Sequence, residues 1–167
     1  MKVGILTVSD RSSRGERADT SGEVIAEVMA RHGATMTTYA IVPDEQALIS
    51  RRLVEWADSG AIDLILTTGG TGLGPRDVTP EATLAVVDRV VPGLAEAMRA
   101  ESLTKTPHAM LSRAVCGARG TCLIVNLPGS PKAVRECLGT ILPALPHAVD
   151  TLRGRVADCA EVQIERS

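Results

Sequence analysis

Apolar residues occur along this chain with two alternating periods. Residues 2–8 (KVGILTV) form a short, almost unbroken apolar run, the pattern of a strand covered on both faces. Residues 35–42 are rich in β-branched side chains and predict a second strand, and residues 62–66 (IDLIL) predict a third. Between these runs the period lengthens. Val24, Ile25, Val28 and Met29 recur at helical spacing before Gly33, with Thr20 or Ser21 placed to cap that helix. Residues 45–59 carry Leu48, Ile49, Leu53, Val54 and Trp56 mostly on one side and stop at Gly60. Thr79-Pro80-Glu81 reads as the cap, first position and first turn of another helix. Pro92 opens a helix to about Ser102, and a further one begins near Pro131.

This alternation predicts a single α/β domain with a largely parallel sheet spanning residues 1–167. One segment breaks the rule. RAVCGARGTCLIVNL (113–127) holds two strand-like runs around Ala118-Arg119-Gly120, too close for a crossover helix. That pair must be antiparallel, so the sheet is expected to be mixed.

Three polar loops each follow a predicted strand and precede a helix: SDRSSRG (9–15), TTGGTGLGPRD (67–77) and NLPGSP (126–131). Ligands of open α/β sheets bind outside the carboxyl ends of the strands, so parallel strands would put these loops on one rim. The glycine loop suits an anion, because glycines let backbone N–H groups approach a phosphate closely. No GK[ST] follows it and the Rossmann spacing is absent, so it is neither of those phosphate loops. A tight turn before a helix would also account for its glycines. Asp77 shifts that balance: a carboxylate beside a phosphate cradle calls for a cation, and Asp with Mg²⁺ and substrate phosphates is a common arrangement. Asp44, after the second strand, belongs either to the same rim or to a helix cap, and Asp10 has the same two readings. Arg11, Arg14 and Arg76 are phosphate partners or solvated surface. Pro128 and Pro131 stiffen the last loop, where Gly129 and Ser130 offer an N–H and a hydroxyl to a ligand or simply build a rigid turn.

Composition narrows the function classes. The chain has no Phe, one Trp and one Tyr, so its core is aliphatic and a stacked-aromatic surface for single-stranded nucleic acid is excluded. A net charge of −2 implies no nucleic-acid footprint and no polybasic membrane segment. Cys116, Cys122, Cys137 and Cys159 form no CxxC pair and read as small buried hydrophobes. His32, His108 and His147 are scattered, with no nucleophile beside them to suggest a triad. No run approaches a membrane span, and the first apolar run is too short for a secretion signal, so a reduced, cytoplasmic protein is expected.

The loops together resemble the Mog/MoaB family of molybdenum cofactor biosynthesis, most of all its Mog-type adenylyltransferase branch. The resembling stretches are SDRSSRG with Asp19-Thr20-Ser21-Gly22, IVPDEQ (41–46), TTGGTG with RDVTPEAT (67–83), LSRAVCG (111–117) and NLPGSP. They occur in family order from residue 3 to about 150. The resemblance implies a three-layer α/β/α fold with a mostly parallel, mixed sheet, usually in a trimer. It implies transfer of AMP from ATP to molybdopterin with Mg²⁺, release of pyrophosphate, and hand-off of the product to a molybdenum-inserting partner. It implies catalytic and Mg²⁺-holding roles for Asp44 and Asp77. Nucleotide or molybdopterin contacts are implied at Thr68, Gly69, Gly70, Thr71, Gly72, Arg76, Asn126, Pro128, Gly129 and Ser130, with Asp10 and Ser12 as pocket residues. Non-catalytic molybdopterin-binding modules share the fold, but a pure binder would need neither Asp44 nor Asp77.

Overall fold

The computed structural model describes residues 1–156. Cys159 therefore lies outside the described residues. In chain order the elements are β1 (Lys2–Val8), α1 (Asp10–Ser13), α2 (Thr20–Arg31), β2 (Thr35–Val42), α3 (Gln46–Asp58), β3 (Leu64–Thr68), α4 (Thr79–Leu84) and β4 (Arg89–Val90). They continue with α5 (Pro92–Leu103), a 3-10 turn (Pro107–Leu111), β5 (Cys116–Arg119), β6 (Cys122–Leu127), α6 (Pro131–Ile141), a second 3-10 turn (Leu142–Ala144) and α7 (Leu145–Leu152).

The strands form one sheet in the order β2-β1-β3-β6-β5-β4. β2, β1, β3 and β6 are mutually parallel, whereas β5 runs antiparallel to both β6 and β4. The sheet is thus mixed at the hairpin, as the short spacing required. Both faces are covered. Val3, Ile5, Leu64, Leu66, Leu123, Val125 and Leu127 point into one aliphatic core with α2, α5, α6 and α7. Leu6, Val8, Ile65, Cys122 and Ile124 alternate into the other, against Ile49, Leu53 and Trp56 of α3 and Ala82 of α4. This two-sided burial explains why the central strands read as continuous apolar runs. Each fully buried Leu or Ile contributes about 2 kcal/mol of transfer free energy, and that fixes the strand ends that carry the loops.

Several boundaries differ from expectation for identifiable reasons. β3 begins and ends two residues later than its apolar run, because Thr67 and Thr68 pair with Asn126 and Leu127 of β6. Asp19, not Thr20 or Ser21, caps α2, its Oδ1 accepting the Gly22 amide at 2.9 Å. Thr79 is not the cap of α4. Val78 occupies that position, and the Thr79 hydroxyl donates instead to the Gly69 carbonyl at 2.9 Å. Cys116, Cys122 and Cys137 are buried, and burial pushes the thiols of Cys116 and Cys122 up to about 12, so they are inert apolar fillers.

Candidate functional site

β1, β3 and β6 end side by side, and their three loops meet on one rim. At Gly69 the chain turns in the left-handed region (φ 96°) so closely over β1 that a Cβ there would stand 2.3 Å from the Val8 carbonyl oxygen. Only glycine permits this approach. Thr79 fastens the start of the loop by its side chain on Gly69 and by its amide on the Gly70 carbonyl at 3.1 Å. The Thr68 hydroxyl donates to the Pro128 carbonyl at 2.7 Å, and the Ser21 hydroxyl donates to the Gly129 carbonyl at 2.8 Å. The glycine loop, the 126–130 loop and the start of α2 are therefore cross-tied.

The aspartates are not equivalent. Asp44 does not cap α3: Glu45 is the N-cap residue and makes no side-chain bond. Asp44 Oδ2 instead accepts the Asp10 amide at 2.7 Å, and Asp10 Oδ1 accepts the Asp44 amide at 3.0 Å. Arg76 reaches across from the glycine loop and forks onto Asp10 at 2.9 and 3.1 Å. That fork, with the Asp44 amide, holds the Asp10 carboxyl below its ordinary value. Asp44 shifts the opposite way, raised by burial and by the nearby charges of Asp10 and Asp77. Asp77 closes a turn within its own loop, Oδ2 accepting the Gly74 amide at 2.8 Å.

Two cavities open beside these loops. A polar one of about 230 Å³ is lined by Asp44, Asp77, Thr68, Gly69, Gly70, Ser9, Ser12, Asp19, Thr20, Arg17 and Gly129, among others. An apolar one of about 280 Å³ is lined by Thr71, Gly72, Pro128 and Asn126 together with Met98, Ser102, Ala109, Ser112, Ala114 and Cys137, among others. Consecutive residues thus face opposite sides: 68–70 and 129 look into the polar cavity, 71–72 and 128 into the apolar one. The loops form the partition between them.

The residues singled out from sequence fall in three groups. Asp44, Asp77, Ser12, Thr68, Gly69, Gly70 and Gly129 line the polar cavity, and Thr71, Gly72, Asn126 and Pro128 line the apolar one. Asp10, Arg76 and Ser130 line neither cavity, Asp10 and Arg76 being tied to each other. Ser130 and Asn126 have structural bonds that the loop pattern did not disclose. Ser130 caps α6 by accepting the Ala133 amide at 3.2 Å. Asn126 is fully buried, donating to the hydroxyls of Thr67 and Thr83 at 3.0 and 2.9 Å and accepting the Val115 amide at 3.3 Å. Arg14 pairs with Glu16 at 2.8 Å. Most of the apolar cavity went unread in the sequence: Met98, Ser102 and Cys137 lie on helices whose apolar spacing looks like plain core. Arg113 also went unread, although it touches the glycine loop at several points.

The fold and rim define an α/β domain with a glycine-rich loop and three aspartates, Asp10, Asp44 and Asp77, at its strand ends. Residues 4–147 match the family described as a probable molybdopterin binding domain, and the chain belongs to that family. It is 44% identical over 165 residues to the molybdopterin adenylyltransferase of Helicobacter pylori strain J99, covering 98% of this chain and 94% of that protein. It is 46% identical over 147 residues to the Drosophila melanogaster molybdenum cofactor synthesis protein cinnamon, covering 87% of this chain but 24% of that longer protein. The solved structure of the molybdopterin biosynthesis enzyme MoaB from Thermus thermophilus superposes with a TM-score of 0.87 at 57% identity, covering 92% of this chain and 96% of that one.

Proposed function

We propose that this protein is a molybdopterin adenylyltransferase, joining AMP from ATP to the terminal phosphate of molybdopterin and releasing pyrophosphate. The observation that carries this reading is the pair of unlike cavities sharing one glycine-loop partition. The polar cavity suits the nucleotide phosphates, with the backbone N–H groups of Gly69 and Gly70 and the hydroxyl of Ser12 as donors. The apolar cavity suits a planar pterin, with Thr71, Ser102 and Ser112 as its polar points. A terminal phosphate oxygen of molybdopterin then forms a bond to the α-phosphorus across the partition. The bond from that phosphorus to the bridging oxygen breaks, and the electron pair leaves with pyrophosphate.

Two anions must meet in this reaction, so charge neutralisation dominates the barrier. Asp44 and Asp77 fit Mg²⁺. Each has one carboxylate oxygen on a backbone amide and Oδ1 without a hydrogen bond among the described residues. Two carboxylate oxygens plus phosphates and water suit this ion's octahedral preference. No cluster of three or more His, Cys, Asp or Glu able to hold a metal occurs among the described residues, so the phosphates would complete the shell. The ion, when bound, supplies neutralisation of the phosphate oxygens. Arg76, parked on Asp10, is within the loop that would close on the triphosphate. Ser130 acts through α6 and the shape of its loop.

A cytoplasmic homotrimer that passes its product to a molybdenum-inserting partner completes the reading. The hand-off is supported by a cinnamon-type relative that carries a homologous domain within a longer chain, and no helix among the described residues is long and apolar enough to cross a membrane. The test is pyrophosphate release from purified protein with molybdopterin, ATP and Mg²⁺. Release that requires all three is expected. No release with molybdopterin still bound would turn the reading to a carrier module.

A further inference from the structure

Arg113 is bound to the glycine loop from both its backbone and its side chain. Its amide donates to the Thr71 carbonyl at 3.0 Å. Its Nε donates to the Gly72 carbonyl at 2.7 Å, one terminal nitrogen donates to the Asp77 carbonyl, and the other pairs with the Glu81 carboxylate. A single guanidinium thus ties down both ends of the segment 72–77 and the first turn of α4. The second Glu81 oxygen is buried without a hydrogen bond, so Arg113 is the partner that compensates this carboxylate.

The other side of Arg113 is also fixed. Its neighbours Ser112 and Ala114 line the apolar cavity, and Arg99 holds the Ala114 carbonyl at 2.9 Å. The Val115 amide is held by Asn126 at 3.3 Å. The wall of the apolar cavity and the backbone of Asp77 are therefore joined through one planar fork. Lys, with a single ammonium on a flexible stem, cannot reach these acceptors in the same fixed geometry.

We propose that Arg113 is a positioning residue that sets where Asp77 stands relative to the partition, and so aligns the polar cavity with the apolar one. This rests on the adenylyltransferase reading, in which Asp77 must face the phosphates. Misplacement of a reacting group by about 1 Å costs about 100-fold in rate, which sets the size of the expected effect.

The test compares wild type, Arg113→Lys, Asp77→Asn and the double variant. Wild-type turnover is measured first, because its failure would overturn the functional reading and not the role of Arg113. Given wild-type turnover, Arg113→Lys is expected to lower kcat about 100-fold while leaving the KM for ATP within about threefold. In the Asp77→Asn background the same change is expected to cost little, since it acts through Asp77. Amide exchange is the readout independent of turnover. In Arg113→Lys, residues 72–77 should exchange about tenfold faster with strand amides unchanged. Unchanged kcat, unchanged exchange in 72–77, or an equal loss in the Asp77→Asn background would each overturn the proposal. Glu81→Gln, which keeps an acceptor for Arg113, supplies a milder second variant and should fall between wild type and Arg113→Lys on both readouts.

Discussion

Asp10 and Asp44 each accept the other's backbone amide, at 3.0 and 2.7 Å, yet their carboxyl groups shift in opposite directions. The bidentate fork of Arg76 keeps Asp10 acidic, whereas Asp44 is raised by burial beside two other carboxylates. One joint between the β1 and β2 loops therefore presents a compensated carboxylate and an uncompensated one. The second is the one aimed at the polar cavity.

This asymmetry has a pH signature. Asp44 binds its proton more tightly folded than unfolded. Its stabilising contribution is therefore complete below the ordinary carboxylate value and is lost as pH rises through its raised folded value. Asp10 has the opposite sign: its contribution is present above the ordinary value and lost as pH falls through its lowered folded value. Asp44→Asn should therefore gain stability relative to wild type as pH rises from the ordinary carboxylate range toward neutrality. Melting curves across that range check it, and a constant offset between the two proteins would contradict the charge argument.

Asp77→Ala should lower pyrophosphate release by about 100-fold or more while molybdopterin binding persists. Turnover of the variant under saturating substrates, with pterin fluorescence titration alongside, measures both. Normal turnover would remove Asp77 from the Mg²⁺ site.

Two glycines three positions apart should fail differently. A methyl group on Gly69 meets the Val8 backbone at 2.3 Å on top of a left-handed φ, so Gly69→Ala should cost about 3 kcal/mol of stability. A methyl group on Gly72 meets the Asp77 carboxylate at 2.9 Å, where the side chain can rotate away. Gly72→Ala should melt within about 1 kcal/mol of wild type but lose most of its turnover. Similar melting losses in both would refute the distinction.

The apolar cavity makes a prediction that separates the two substrates. Ala109→Leu adds volume to its wall and should raise the KM for molybdopterin about tenfold, leaving that for ATP unchanged. A matching rise for ATP would place the nucleotide in this cavity instead.

The legible parts of the fold were those in which one residue pattern had one physical cause. Val3, Ile5 and Leu6 form an apolar run because helices cover both faces of β1. The close spacing of Cys116 and Cys122 permitted nothing but a hairpin. The glycine loop, too, stood out, because Gly69 is required by backbone contact rather than by side-chain preference. What went unread depends on partners distant in sequence. Thr79 looked like a cap until Gly69, ten residues earlier, proved to accept its hydroxyl. Asp44 looked equally like a cap until Asp10 proved to be its partner. Met98 and Cys137 carry the same apolar spacing whether a helix face meets solid core or a cavity. α7 (Leu145–Leu152) carries Pro146 in its first turn and follows Pro143 of the preceding 3-10 turn, and these prolines mask its period.

The partition between the cavities is one loop thick, with Gly69 and Gly129 packed where a Cβ on Gly129 would lie 3.4 Å from the Gly69 Cα. On the proposed reading, the two substrates would enter on its two sides without competing for a mouth. The joined product would then straddle the wall and be held on both sides at once, so its departure, rather than the chemistry, would be the slow event in the cycle.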